Sequence, residues 1–263
     1  MPLDQADGLR RMFAHTRVRF IPVVSNPHVA FGGVLLERLC TAFAEHGRRT
    51  LVVDASERAA EPNDLAPIDL AGCIETLSPT VSYLAARGLP LRHVDATGST
   101  SAFLTALADA APSAEVVLVH APASDLCRLF SRTKDAVRPL LLADDRPASV
   151  THAYAALKLL TQRGGMMVHD LLLGAAPHSP RTERIAQQIA TCADTFLGAL
   201  LRDWAPVDPA SDASEPPTPA LRRLAVELLR PAAPPDAARD DAPMPFYVDR
   251  PPQSPARARA MNS

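Results

Sequence analysis

The sequence predicts an α/β protein built on a doubly wound, mainly parallel sheet. Three observations predict it. Apolar, β-branched runs recur at residues 18–24, 49–55 and 115–120. Stretches with helical spacing of apolar residues lie between such runs. The first strand, loop, helix and second strand fit within about 40 residues, the span of a βαβ unit. Strands that alternate with helices in this way form a sheet covered on both faces. An appended N-terminal helix and a disordered C-terminal tail complete the expectation.

Residues 3–15 carry Leu3, Leu9, Met12 and Phe13 at helical spacing and read as a short amphipathic helix. VRFIPVV, residues 18–24, is a buried strand ended by Ser25-Asn26-Pro27. Residues 34–46 form a helix through Leu35, Leu39, Ala42 and Phe43 that stops at Gly47. RTLVVDA, residues 49–55, is the second strand. Pro90 to Asp95 reads as a short strand, EVVLVH at 115–120 as a central one, and Pro139 to Ala143 as another. A helix over 147–162 and a strand over 165–173 come next, with the start of the strand left open by Asp170. Arg181 to Leu201 reads as one long helix.

After Trp204 the composition turns to Pro, Ser and Asp. The domain expected over 17–204 is therefore succeeded by a flexible linker at 205–219. Residues 220–230 form a helix with Leu221, Leu224, Ala225, Leu228 and Leu229 on one face and Arg222, Arg223 and Arg230 elsewhere. Residues 231–263, rich in Pro, Ala and Arg, read as a disordered tail. No internal repeat is visible.

Composition sets limits on function. The 263 residues are 47% hydrophobic and 21% charged, with a net charge of −2. That balance suits a globular domain and offers no whole-chain attraction for nucleic acid. Lys134 and Lys158 are the two lysines, so chemistry that needs a lysine has two candidates. Cys40, Cys73, Cys127 and Cys192 are widely spaced and read as reduced thiols, not as a zinc site or a disulfide frame. No signal-peptide core is visible, and no apolar run reaches the roughly 20 residues that cross a bilayer. The expected location is the cytoplasm.

The turn after the first strand is where such a sheet binds phosphate, because helix N-terminal amides favour an anion. Here it reads Ser25-Asn26-Pro27-His28-Val29-Ala30-Phe31-Gly32-Gly33. Together with the flanking strands and helix it resembles the MinD/ParA group of SIMIBI P-loop ATPases, whose loop is SGKGGVGKT and whose second strand ends DAD. The two align without a gap from Ser25 to Ser56, with Ser25, Leu39, Gly47 and Asp54 on family positions. The chemistry departs from the pattern. Pro27 stands for the signature lysine, Gly32 for the phosphate-binding lysine, Gly33 for the magnesium-binding threonine, and Ser56 for the second acid of DAD. EVVLVHAPAS, residues 115–124, is similar to the family's DYVLIDTPAG, with His120 in place of the aspartate that helps hold magnesium. RPASVTHAYAALKLLTQRGG, residues 146–165, is similar to EPTAITDAYALIKVLSRRGG and makes Lys158 a helix-surface residue.

The resemblance covers roughly residues 3–203, and the departures from its pattern imply a pseudo-ATPase without a cofactor. Phe31, where the family has glycine, is expected to fill the pocket from within. Weak ATP binding through Gly32 and Gly33, with His28 or an arginine as counter-charge, is the competing expectation. His28 and His120 otherwise read as polar fill at strand ends. Asp4-Gln5-Ala6 followed by Leu9-Arg10 resembles the DQAxxLR motif of the FlhG/FleN-like flagellar regulators within this group. That resemblance implies contact with an FlhF-type signal-recognition GTPase, Gln5 orienting a water or loop at the partner's nucleotide. The implied function is regulation of flagellar assembly, number or placement, with other basal-body or regulatory proteins as further partners. The C-terminal helix, through Leu221, Leu224 and Leu228, is a candidate for weak contact with the inner membrane; docking on its own domain is the alternative. Two other readings stay open: an active MinD/ParA-type ATPase with an unorthodox loop, and a partition-type adaptor on DNA or another scaffold.

Overall fold

The computed structural model describes residues 18–132, 137–176 and 179–230. Its strands are β1 (Arg19–Val24), β2 (Thr50–Asp54), β3 (Glu75–Ser78), β4 (Val81–Ala85), β5 (Val116–Ala121), β6 (Leu140–Asp144), β7 (Val168–Gly174) and β8 (Leu200–Val207). Its α-helices are α1 (Gly32–Glu45), α2 (Ala102–Ala110), α3 (Ala123–Leu129), α4 (Pro147–Gly164), α5 (Pro180–Leu197) and α6 (Pro219–Leu229). The strands form one sheet in the order β3-β4-β2-β5-β1-β6-β7-β8. Pairing is parallel throughout except between β3 and β4.

The apolar runs of the sequence are the inner strands, buried on both faces as parallel strands must be. Their alternation divides the core in two. Ile21, Val23, Val52, Leu118 and Leu142 pack with Leu35, Leu39 and Phe43 of α1 and with Leu221, Leu224 and Leu228 of α6. Val24, Val53, Val119 and Leu141 pack instead with Phe103, Leu126, Leu157 and Ile189, drawn from α2, α3, α4 and α5. Pro22 has no N–H to give a ladder. It sits before the point where β6 joins β1, at Val23 opposite Leu140.

Several elements differ from the sequence expectation. Residues 90–95 are not a strand: Leu89–His93 is a 3₁₀ turn entered through Gly88 at φ 73°. The strands that form the sheet edge there are β3 and β4. The long helix ends at Leu197, because Gly198 takes φ 60° and closes the last turn. The chain then enters β8, which runs to Val207, past the expected domain end and into the expected linker. The segment after β8 is tied down: the buried Arg38 of α1 donates to the backbone carbonyls of Ser211, Asp212 and Ala213 at 2.7, 2.5 and 2.9 Å.

The C-terminal helix is docked on its own domain, with its leucines turned away from any membrane. Leu221, Leu224 and Leu228 of α6 are 2%, 0% and 1% exposed, so its apolar stripe already covers the sheet. Its arginines hold it there. Arg222 pairs with Glu45 of α1, and Arg223 with Asp203 of β8. Arg19 and Arg138 donate to the carbonyls of Leu228 and Glu227 in its last turn. Arg138 also faces Asp170 at 3.3 Å, and both are buried. This pairing accounts for an acid inside β7. Burial, with Asp203 adding to it, raises the Asp170 carboxyl to about 6 against the pull of Arg138 and Arg202. His169, also buried and 3.1 Å from Thr161 Oγ1, is lowered by burial to about 4.

Asp4, Gln5, Leu9, Arg10, Lys134 and the expected tail at 231–263 lie outside the described residues. Among the described residues no helix is long and apolar enough to cross a membrane.

Candidate functional site

β1 lies between β5 and β6, and the chain leaves it through α1 to reach β2 on the far side of β5. The carboxyl ends of β1, β2 and β5 therefore open at the point where strand order reverses, the usual ligand crevice of such sheets. A cavity of about 470 Å³ lies there. Seven positions singled out from the sequence line it: Ser25, Pro27, Gly32, Gly33, Asp54, Ser56 and His120. Glu57, Arg58, Ser124, His152 and Leu159 complete much of the wall.

The loop from Ser25 to Phe31 is bonded inward. Ser25 N donates to Ala121 O at 2.9 Å. The buried Asn26 amide donates to Leu142 O at 2.9 Å and to the Ser149 carbonyl and hydroxyl at 3.0 and 3.2 Å. Its own oxygen accepts from His28 N at 3.1 Å, and its carbonyl accepts from Val29 N at 3.1 Å. Ala30 N donates to the Asp144 carboxylate at 3.3 Å. Pro27 has no amide proton. Amides that would face a phosphate in a glycine-rich cradle thus meet acceptors of this chain instead.

Arg146, at the head of α4, fixes the arrangement from outside. Its guanidinium meets Asp144 at 2.6 Å and also donates to the His28 carbonyl. Burial pushes the Asp144 carboxyl up, but Arg146 and the donated backbone N–H groups outweigh it and hold the group below the usual carboxylate range. The His28 ring lies edge-on to His152 of α4, centroids 5.7 Å apart.

On the other wall Asp54, the last residue of β2, accepts from Ser56 N at 3.1 Å and lies 3.0 Å from His120 Nδ1. Burial raises the Asp54 carboxyl, yet the His120 and Ser56 hydrogen bonds together bring it below its ordinary value. His120, at a position that resembles a magnesium ligand, thus forms a carboxylate–imidazole pair with Asp54. Among the described residues no group of three or more His, Cys, Asp or Glu could hold a metal ion.

Phe31 does not fill the cavity. As the residue capping α1 it is 57% exposed and lines a separate hollow with Arg146 and Gly174. Val29, two residues earlier, is the side chain of the loop that turns into the core. Glycine at 32 and 33 is not enforced by packing. A Cβ at Gly32 would come no nearer than 3.9 Å to Val29, and one at Gly33 would meet nothing within 4 Å. Asn26, Asp144, Arg146, Ser149 and His152 were not singled out from the sequence. The one hint in it is the acid pair Asp144-Asp145 followed by Arg146 at a strand end.

No protein-family model matches the sequence. Over 180 residues the chain is 28% identical to the antiactivator FleN of Pseudomonas aeruginosa, covering 62% of this chain and 64% of that relative. The match therefore spans a little under two thirds of the relative's length. The MinD cell division protein of Aquifex aeolicus superposes with a TM-score of 0.53 at 13% identity, covering 82% of this chain and 99% of that one. A ParA family ATPase of Chlorobium tepidum superposes with a TM-score of 0.53 at 15% identity, covering 80% and 98%. These structures share the fold of this chain.

Proposed function

We propose that this chain, a FleN-like protein with the MinD/ParA fold, is a regulator of flagellar assembly that acts by binding and does not turn over ATP. The observation that carries the proposal is the inward-bonded loop. The His28, Val29 and Ala30 amides are taken by Asn26 and Asp144, and Pro27 offers none. Glycines stand where the resemblance puts a lysine and a threonine. One charged phosphate contact contributes a few kcal/mol, so losing several together leaves little affinity for a magnesium-bound triphosphate. The residues that line the cavity do not fit that group.

The relative's name, antiactivator, supports a role exerted on another protein. The proposed partner is an FlhF-type GTPase, met through Asp4, Gln5, Leu9 and Arg10 in the N-terminal segment. That part of the proposal rests on the sequence motif. A cytoplasmic location belongs to the proposal as well.

The experiment has two arms. Titration of the full chain with a fluorescent ATP analogue and magnesium is expected to show no saturation up to millimolar concentration, and a phosphate-release assay no turnover above blank. In parallel, the chain is expected to stimulate GTP hydrolysis by the FlhF-type partner, and Gln5→Ala to lose that stimulation. Saturable, magnesium-dependent binding with turnover would overturn the pseudo-ATPase reading. Stimulation unchanged in Gln5→Ala would overturn the proposed contact.

A further inference from the structure

The N-terminal end of β7 and β8 carries an apolar corner that the proposed function does not use. Met167 is 45% exposed, Phe196 71% and Leu200 56%. They belong to one locality: Leu200 N donates to Met167 O at 2.8 Å, and Phe196 lies in the last turn of α5, four residues before Leu200. Large side chains exposed together, unlike a single exposed leucine, mark a surface that something covers.

The α5 side of the corner is electronegative, while Arg163 ends the neighbouring α4 near Met167. Helices in this fold run against the strands, so α5 ends here with its carbonyl groups outward, and that end carries partial negative charge. The last turn of α5 has no basic residue to offset it, and it holds the exposed Asp194. A segment that fits must be apolar on one side and basic beside it.

The register shows which segment is near. Val23 of β1 pairs with Leu140, and Leu140 with Asp170 of β7. Arg19, four residues before Val23, therefore stands level with Met166, four residues before Asp170. Two strand spacings separate β1 from β7 and a third reaches β8, about 14 Å in all. Four extended residues span about 13 Å, so a stretch as long as 14–17 is of the length that distance needs. The residues before it include Leu3, Leu9, Met12 and Phe13, with Arg10 and Arg11 between them.

We propose that residues 3–13 dock on this corner of their own domain, with Leu9, Met12 and Phe13 against Met167, Phe196 and Leu200 and the two arginines at the carboxyl end of α5. The inference deepens the proposed function and rests on it for its meaning. The segment assigned to the GTPase would be held on its own domain until the partner competes it away, so the contact would be self-limiting.

The test uses the full-length protein. With p-benzoylphenylalanine replacing Phe196, irradiation and peptide mapping are expected to join that position to residues 1–17 of the same molecule. Amides of residues 3–13 are expected to exchange roughly tenfold more slowly than in a synthetic 1–17 peptide, a protection lost in Phe196→Ser/Leu200→Ser. The domain's melting transition should not move in that variant, since both side chains are exposed. Cross-links to residues 231–263, to a second copy or to nothing would overturn the proposal, as would equal exchange in protein and peptide. The synthetic 1–17 peptide, added to the GTPase, separates the two readings. Stimulation by the peptide with no cross-link sinks the docking alone. A cross-link with no stimulation sinks the partner assignment and leaves the docking.

Discussion

Arg146 Nη2 lies 2.6 Å from Asp144 Oδ2, and the same guanidinium reaches the carbonyl of His28 in the β1–α1 loop. One exposed side chain thus ties the head of α4 to the loop that borders the cavity. Arg146→Ala removes the tie without opening a core. We expect the amides of His28, Val29 and Ala30 to exchange at least tenfold faster, with little change in melting temperature. Exchange identical to wild type would show that Asn26 holds the loop unaided.

Asn26 is the buried counterpart. Its amide serves Leu142 O and two Ser149 acceptors, and its oxygen serves His28 N. Asn26→Ala leaves these groups without their partner, which costs about 1–3 kcal/mol. In a domain of this size that lowers the melting temperature by roughly 2–4 °C for each kcal/mol. An unshifted urea midpoint would remove Asn26 from the forces that shape the site.

His169 and Asp170 are adjacent in β7 and respond to pH in opposite senses. His169 is held near 4 in the fold against 6.5 when unfolded. Its contribution to stability is intact above 6.5 and lost as pH falls toward 4. Asp170 is held near 6 against 3.8 when unfolded. The fold binds that proton more tightly, so its contribution declines as pH rises from about 4 to about 6. Between pH 6.5 and 4 the two offset one another. His169→Gln unmasks Asp170, and its urea midpoint, relative to wild type, should rise between pH 6.5 and 5. A relative midpoint that stays level or falls over that interval would falsify the opposition.

Leu224 is fully buried between α6 and the sheet. Leu224→Ala should cost about 2–5 kcal/mol, with the cavity it leaves adding to the lost transfer energy. In co-sedimentation with anionic vesicles the folded protein should stay in the supernatant, because its leucines are already satisfied. Pelleting of the native protein, reduced by Leu224→Ala, would revive a membrane role for α6.

The inner strands were legible in the sequence because burial on both faces leaves an unbroken apolar run, as in LVVD and VVLV. The edge pair β3 and β4 was not, because a strand with an open side keeps residues such as Glu75 and Thr76 that read as loop. Positions 25, 27, 32, 33, 54, 56 and 120 could be assembled in advance because the family resemblance aligns them with one loop and the strand ends beside it. The inward bonds could not. Asn26 meets Ser149 across more than a hundred residues, and nothing near either announces the other. The stripe of α6 was visible, but Leu221, Leu224 and Leu228 at helical spacing serve a core and a bilayer equally well. Only the partner surface, here α1 and β8, distinguishes them.

Arg38 binds three successive carbonyls just after β8, and α6 then returns to lie beside the helix that carries Arg38. The first helix and the last thus close over one face together. A protein shortened to end near Asp208 would lose Arg38's partners and, in the same step, take Leu221, Leu224 and Leu228 out of the core they share with Ile21, Val23 and Leu39. Whatever such a shortened protein fails to do would report a melted half-core, not the absence of a dispensable appendage.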